Sequence, residues 1–85
     1  MQTVTKKDLL EEIQNRAIHY YISRSTFDMS DVMSEVTIGV DDELICENES
    51  LYIEWECVTK ITKEVEINFY NIFLKDNTFI QIEII

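Results

Sequence analysis

Residues 79–84 have the sequence Phe-Ile-Gln-Ile-Glu-Ile, in which every second residue from Ile80 to Ile84 is isoleucine. An apolar residue at every second position is typical of a β-strand that packs one face against a core. The preceding residues, Lys75-Asp76-Asn77-Thr78, predict a turn. The C-terminal part of the chain is therefore predicted to end in a turn followed by a half-buried strand.

The same period of two recurs upstream of this strand. It predicts four more strands, which cover residues 35–40, a segment that begins at Leu44, residues 51–58 and residues 65–74, the last with a bend near Phe69 and Tyr70. The predicted turns between them are Asp41-Asp42, Glu47-Asn48-Glu49-Ser50 and Thr59-Lys60-Ile61-Thr62-Lys63. Short connections favour antiparallel neighbours, so these strands predict a five-stranded β-meander. Its core is expected to contain Trp55, Phe69, Phe73 and Phe79.

The first part of the chain has a helical pattern. Thr5 is a candidate N-cap, and Asp8 three residues later completes a variant of the capping box. Apolar residues then recur at helical spacing from Leu9 to Tyr21, which predicts a helix over about residues 5–23. Residues 24–34 are predicted to be a connection. The predicted fold class is α+β, a single domain over residues 1–85 with one N-terminal helix packed on a five-stranded antiparallel β-meander.

The net charge restricts the partners. Seventeen Asp and Glu residues outnumber seven Lys and Arg residues, which gives a net charge of −10 at pH 7. A field of that sign repels nucleic acid and anionic membranes and attracts basic surfaces. We therefore expect no direct binding to nucleic acid and no membrane association. The expected partner is a protein with a basic surface, such as a nucleic-acid-binding effector.

The negative charge is concentrated in the middle of the chain. Residues 25–59, which we call the acidic block, contain ten Asp and Glu residues and neither Lys nor Arg, so they account for the whole net charge. Natural surfaces usually mix both signs, because a block of one sign repels itself. One interpretation is a solvated face that serves solubility only. The other is a binding surface, since carboxylates two residues apart on a strand stand about 6.7 Å apart and can imitate a row of phosphates.

The candidate binding residues follow from the second interpretation. Two strand rows, Glu54 with Glu56 and Glu64 with Glu66, are the predicted phosphate mimics, and Tyr52 is predicted to point outward beside Glu54 as an interface anchor. If the hairpin near Ile61 is symmetric, Glu56 lies opposite Glu66. The remaining candidates are the carboxylates of the two predicted turns: Asp41, Asp42, Glu43, Glu47 and Glu49.

These features indicate a non-enzymatic inhibitor that mimics nucleic acid. The chain is similar in size, charge and composition to acidic phage inhibitors such as anti-CRISPR and anti-restriction proteins, although no motif matches a particular member. Its many Ile, Asn and Lys residues, with one Gly and no Pro, indicate an A/T-rich genome. The expected location is the cytoplasm, or the host cytoplasm for a phage protein. The alternative function is a housekeeping or structural interaction domain, such as a homodimer joined through its sheet.

Catalytic and metal-binding chemistry find little support in the residues. His19 is the only histidine, and Cys46 and Cys57 lie in apolar strand contexts that are typical of unreactive thiols. These three residues match no zinc-ligand spacing, and the acidic stretch 41–49 lacks the spacing of a calcium loop. We therefore expect no enzyme activity, no cofactor and no bound metal, and we expect both cysteines to be reduced in a cytosolic protein.

Overall fold

The helix and strands of the computed structural model are described over residues 2–47 and 49–85. Within these ranges there are one α-helix, α1 (Lys6–Ile13), and nine β-strands. The strands are β1 (Gln2–Thr3), β2 (Ile18–Arg24), β3 (Phe27–Met33), β4 (Thr37–Ile38), β5 (Leu44–Cys46), β6 (Glu49–Leu51), β7 (Val58–Glu64), β8 (Phe69–Leu74) and β9 (Phe79–Ile84). Short 3-10 turns cover Val40–Asp42 and Trp55–Cys57. The predicted α+β class is confirmed.

The strands form two antiparallel sheets. The larger sheet has six strands in the order β1-β7-β8-β9-β2-β3, and the smaller has three strands in the order β4-β5-β6. The prediction of one five-stranded meander is therefore wrong in strand number and in sheet number. Only β7, β8 and β9 follow one another as a meander within the large sheet, and β9 then pairs with β2 from the start of the chain.

The core lies on one face of the large sheet. Ile22, Ile80, Ile72 and Ile61 align across four neighbouring strands, and all four are buried. The helix contributes Leu9 and Ile13 to the same cluster, and the small sheet contributes Leu44 and Leu51. Burying several aliphatic side chains contributes about 1.5–3 kcal/mol each, so this cluster is the main source of stability.

The helix begins as predicted but ends ten residues early. Thr5 Oγ1 accepts a hydrogen bond from the Asp8 N–H at 3.1 Å, and the Asp8 carboxylate accepts one from the Thr5 N–H at 3.2 Å, which completes the capping box. The helix stops at Ile13, and Asn15 has a positive φ of 64°. Residues 18–24 form β2, because β-branched and aromatic side chains suit a strand better than a helix.

The predicted connection over residues 24–34 is mostly strand β3. Only Ser25 and Thr26 form a turn between β2 and β3. Six of the seven residues of β3 are exposed, since β3 is the last strand of the sheet. A strand that is exposed on both faces needs no alternation of apolar and polar residues, and this is why the period of two is missing there.

Three boundaries in the second half of the chain were predicted wrongly. Residues 51–58 do not form one strand, since β6 ends at Leu51 and a 3-10 turn follows at Trp55–Cys57. The predicted turn at residues 59–63 lies inside β7, and Val65 begins a hairpin turn rather than a strand. The strand at the C-terminus and the turn before it are confirmed. Of the predicted turn at 47–50, Asn48 lies outside the described residues.

The aromatic core was also predicted wrongly. Trp55, Phe69 and Phe79 are half-buried, and Phe73 is exposed. Phe73 and Phe79 pair on the outer face of the large sheet with ring centroids 5.3 Å apart. The core is aliphatic instead, apart from two tyrosines, Tyr20 and Tyr70.

Candidate interaction surface

The ten predicted binding residues do not form one surface along a sheet. They fall at four places in the fold. These are the turn between β4 and β5 (Asp41, Asp42, Glu43), the residues next to the facing ends of β5 and β6 (Glu47, Glu49), the segment after β6 (Tyr52, Glu54, Glu56) and the hairpin of β7 and β8 (Glu64, Glu66).

The predicted rows of carboxylates on strands are absent from the described residues. Glu54 precedes the 3-10 turn and Glu56 lies inside it, while Glu64 ends β7 and Glu66 lies in the turn that follows. The predicted pairing of Glu56 with Glu66 is wrong as well, because Ile61 lies within β7 and pairs with Ile72. Strand spacing therefore does not set the distances between these carboxylates.

Two carboxylates from separate segments share a cleft between the small sheet and the loop that follows β3. Glu35 and Glu47 both line this open cleft, which has a volume of about 430 Å³. Its other lining residues are Ser34, Thr37, Ile45 and Cys46. Small-molecule sites usually enclose most of their ligand, so an open cleft with two carboxylates is better suited to a side chain of a protein partner.

A second pair of carboxylates lies near the hydroxyl group of Tyr20. Burial raises the pKa of Tyr20, and the negative charges of Asp31 and Glu49 raise it further. Cys46 makes a smaller contribution to the raised pKa of Tyr20. Cys46 also lines the cleft with Glu35 and Glu47. We call these four carboxylates the acidic face: Asp31, which pairs with Tyr20 in the sheet register, Glu49, which pairs with Cys46, and the two cleft residues Glu35 and Glu47.

The acidic face has no ion-pair partner in the part of the chain that the structure describes. The three ion pairs found there each include a residue of α1: Lys6 with Asp42, Lys7 with Glu11 and Lys63 with Glu12. Residues 25–59 contain no Lys or Arg that could neutralise the acidic face locally. Four carboxylates held by folded segments without cations create a negative potential that attracts a basic surface.

Asp42, in contrast, is tied into the structure. Lys6 Nζ lies 2.6 Å from Asp42 Oδ2 and 4.9 Å from the centre of the Trp55 ring. The indole N–H of Trp55 donates a hydrogen bond to the backbone oxygen of Asp42 at 3.4 Å. These contacts give Asp42 a role in holding the turn between β4 and β5 against α1. Asp41 and Asp42 have φ angles of 59° and 60°, which L-residues adopt at some cost.

Tyr52 points outward as predicted, with 56% of its surface exposed. It shares a small cleft of about 60 Å³ with Glu54, Arg24 and Asp76, so a cation lies near this part of the acidic block. The Glu54 carboxylate also accepts a hydrogen bond from the Cys57 thiol at 3.5 Å. This hydrogen bond raises the pKa of Cys57, and burial of the thiol adds to the effect.

The residues weighed for catalysis lie apart in the fold. His19 sits half-buried on the face of β2 opposite to Tyr20, whereas Cys46 packs against the core cluster to which Tyr20 belongs. Cys46 and Cys57 are both free thiols, and both are half-buried rather than fully buried. Over residues 2–47 and 49–85, no group of three or more His, Cys, Asp or Glu side chains is placed to hold a metal ion.

The described residues also include no helix of the length and apolarity needed to cross a bilayer. The only α-helix among them, α1, has eight residues and carries five charged side chains outside its two buried positions: Lys6, Lys7, Asp8, Glu11 and Glu12.

Sequence reasoning missed two members of the acidic face as site residues. Asp31 and Glu35 were counted in the acidic block but were assigned to a connection and to a strand. The signal that could have identified them was the charge distribution, since both lie in the segment without Lys or Arg. Their proximity to Glu47 and Glu49 depends on the packing of the small sheet beside β2 and β3, which no local pattern predicts.

Comparisons with protein-family models, curated proteins and solved structures found no match to this chain.

Proposed function

We propose that this protein is a non-enzymatic acidic module that binds a basic, nucleic-acid-binding surface of another protein and competes there with nucleic acid. The observation that carries the proposal is the acidic face. Glu35 and Glu47 line one cleft, Asp31 and Glu49 lie near Tyr20, and none of the four has an ion-pair partner among the described residues.

The physical argument concerns the cost of this arrangement. Carboxylates held near one another repel, and evolution usually relieves such repulsion with interspersed Lys or Arg. A partner that supplies Lys or Arg side chains removes the repulsion on binding. The same field steers a basic partner during approach, which raises the association rate at low salt.

The proposed biological setting is the inhibition of a host or defence protein by a phage protein. The A/T-rich residue usage, the small size and the net charge of −10 support this setting. We propose a CRISPR effector as the first candidate target, in the host cytoplasm. Carboxylates from several segments of the fold, rather than from rows along single strands, would then occupy the positions of phosphates.

The test compares charge reversals at two places that carry the same number of carboxylates. Glu47→Lys with Glu49→Lys changes the acidic face, and Glu64→Lys with Glu66→Lys makes the same charge change in the β7–β8 hairpin. We expect the first pair to weaken binding to a purified CRISPR effector by about tenfold or more, and the control pair to weaken it by about threefold or less. A third variant, Glu54→Lys with Glu56→Lys, tests the predicted contacts near Tyr52.

Two further measurements belong to the same test. The association rate of the unaltered protein should fall steeply as salt is added, and double-stranded DNA should compete for the effector. Binding that is independent of salt and unchanged in all three variants would contradict the proposal. The negative charge would then serve solubility alone.

A second function is favoured by one observation: among the described residues, the outer edge of β3 at the end of the large sheet pairs with no further strand. A structural homodimer joined through this strand would need no basic partner. Sedimentation of the unaltered protein at physiological salt separates the two functions, because the homodimer predicts twice the monomer mass without any added partner.

A further inference from the structure

We infer that β3 is a docking edge, to which the basic partner adds an antiparallel strand. The incoming strand has Lys or Arg opposite Asp28 and Asp31 and apolar residues opposite Phe27, Met29 and Val32. This inference rests on the proposed function, because it names the strand beside the acidic face that the partner contacts and the chemistry of the segment that binds there.

The first observation is the free backbone edge of β3. Among the described residues β3 pairs with β2 alone. In an antiparallel ladder the N–H and C=O groups of alternate residues point to opposite sides. The Val32 N–H donates to its neighbour Asp31 Oδ1 at 2.8 Å, so it is turned away from β2, and the backbone groups of Ser30 and Asp28 point the same way.

The second observation is the apolar surface along this edge. Phe27, Met29 and Val32 expose 53%, 38% and 49% of their surfaces. Natural edge strands are usually short or carry Lys, Pro or a bulge that blocks further pairing. β3 has seven residues in regular register with β2 and contains neither Lys nor Pro. Its backbone and its side chains both remain suited to a further strand.

Charge decides which strand fits. Asp28 and Asp31 lie on the edge strand itself, and Asp31 belongs to the acidic face with Glu49 nearby. A second copy of this chain would bring another net charge of −10 to the same edge without any Lys or Arg from residues 25–59. A basic strand would instead place a cation beside each aspartate. Opposite charges across neighbouring strands stabilise their pairing, and like charges destabilise it.

The geometry specifies a probe. Written in the antiparallel direction opposite the seven residues of β3, the complementary peptide is Val-Val-Lys-Thr-Val-Lys-Val. Its two lysines face Asp31 and Asp28, and its threonine faces Ser30. Matched controls are the same peptide with Glu in place of both lysines, and the same peptide with an N-methyl group on the threonine. The N-methyl group removes a hydrogen bond to β3 without changing charge.

The protein offers its own matched variants at Ser30. Ser30→Pro removes an outward N–H and leaves the ladder to β2 intact, because proline is tolerated where the N–H of an edge strand faces solvent. Ser30→Ala keeps that N–H. We expect the lysine peptide to shift the amide resonances of Asp28, Ser30 and Val32. Ser30→Pro and the N-methyl group should each weaken its binding by about tenfold, whereas Ser30→Ala should change binding by about twofold or less.

Several results would overturn the inference: absence of peptide binding, amide shifts confined to other strands, equal binding of the glutamate peptide, or undiminished binding after N-methylation. A dimer of the unaltered protein that Ser30→Pro converts to a monomer would show that a second copy occupies β3, and would overturn it too. The inference fails separately from the proposed function if Glu47→Lys with Glu49→Lys weakens binding to the CRISPR effector while Ser30→Pro does not.

Discussion

The ammonium group of Lys6 lies 2.6 Å from the carboxylate of Asp42 and joins the first turn of α1 to the turn between β4 and β5. The same ammonium lies 4.9 Å from the centre of the Trp55 ring, so one lysine connects three segments that are distant in sequence. Asp42 was predicted to be a binding residue. The ion pair gives it a structural role, whereas no member of the acidic face has an ion-pair partner among the described residues.

Replacing Lys6 measures this connection. Lys6→Met keeps the length of the side chain and removes its charge. Both partners are partly exposed, so the ion pair and the contact with the indole ring together contribute about 1 kcal/mol, and the free energy of unfolding should fall by about that amount in urea titrations. Lys7→Met is the control, because its ion pair with Glu11 is 4.0 Å long and more exposed, and it should change stability by about 0.5 kcal/mol or less. Equal losses in the two variants would contradict the structural role of Lys6.

The turn that Lys6 holds contains a second testable feature, the positive φ of Asp41. Glycine adopts this left-handed conformation without steric cost, whereas Glu43 has an extended backbone with φ of −69°. Asp41→Gly and Glu43→Gly remove one negative charge each. We expect Asp41→Gly to be the more stable of the two by about 1 kcal/mol, measured by urea unfolding at neutral pH. The reverse order would mean that the left-handed conformation of Asp41 carries no cost.

Local sequence patterns predict only part of this fold. The capping box at Thr5 and Asp8 and the strand at residues 79–84 depend on neighbouring residues, so local patterns predict them. Local patterns do not predict where the helix ends. The residues from Leu9 to Tyr21 fit an apolar face at helical spacing, but Ile18, Tyr20 and Ile22 also fit the alternation of a strand. Pairing with Ile84, Ile82 and Ile80 on β9 decides for the strand, and that contact spans most of the chain.

The sequence likewise predicts only part of the candidate site. The charge distribution identified the segment that carries the negative charge, and it placed Glu47 and Glu49 among the binding candidates. The charge distribution could not predict that Asp31 and Glu35 lie near Glu47 and Glu49. That proximity depends on strand β3, which was not predicted, and on the packing of the small sheet. The rows at Glu54 with Glu56 and Glu64 with Glu66 failed because a 3-10 turn and a hairpin turn interrupt the alternation. Alternating residues in a sequence do not ensure a strand when burial favours another register.

The hydrogen bond from Cys57 to Glu54 predicts a poorly reactive thiol. Glu54 holds the pKa of Cys57 above its usual value, and only the thiolate reacts rapidly with alkylating agents. In a Cys46→Ser background, Glu54→Gln should therefore increase the rate of iodoacetamide alkylation at pH 8 severalfold. Glu56→Gln is the control, since Glu56 also raises this pKa but makes a smaller contribution and no hydrogen bond to the thiol. Similar rates in both variants would indicate that general charge, rather than the hydrogen bond, controls the thiol.

The buried hydroxyl group of Tyr20 predicts how stability changes in alkaline solution. Burial raises the pKa of Tyr20 above its ordinary value of 10.0, and Asp31 and Glu49 of the acidic face add to the increase. The folded protein therefore favours the protonated phenol more strongly than the unfolded chain does. The resulting stabilisation is fully present below pH 10 and is lost as the pH rises through the pKa of the folded state.

Tyr20→Phe tests this dependence, because phenylalanine keeps the ring and has no proton to lose. We expect the stability of the unaltered protein to fall more steeply than that of Tyr20→Phe between pH 9 and pH 11, measured by urea unfolding at each pH. Tyr70→Phe is the matched control. Burial raises the pKa of Tyr70 too, but the Lys63 ammonium, which lies 5.4 Å from the centre of the Tyr70 ring, opposes the increase, so removal of the Tyr70 hydroxyl should change the alkaline slope less. The pair Asp31→Asn and Glu49→Gln should reduce the slope in the same direction as Tyr20→Phe. Suppose that the plots of unfolding free energy against pH for the unaltered protein and Tyr20→Phe stay parallel up to pH 11. The acidic face then does not raise the pKa of Tyr20, and the grouping of Asp31 with Glu49 is wrong.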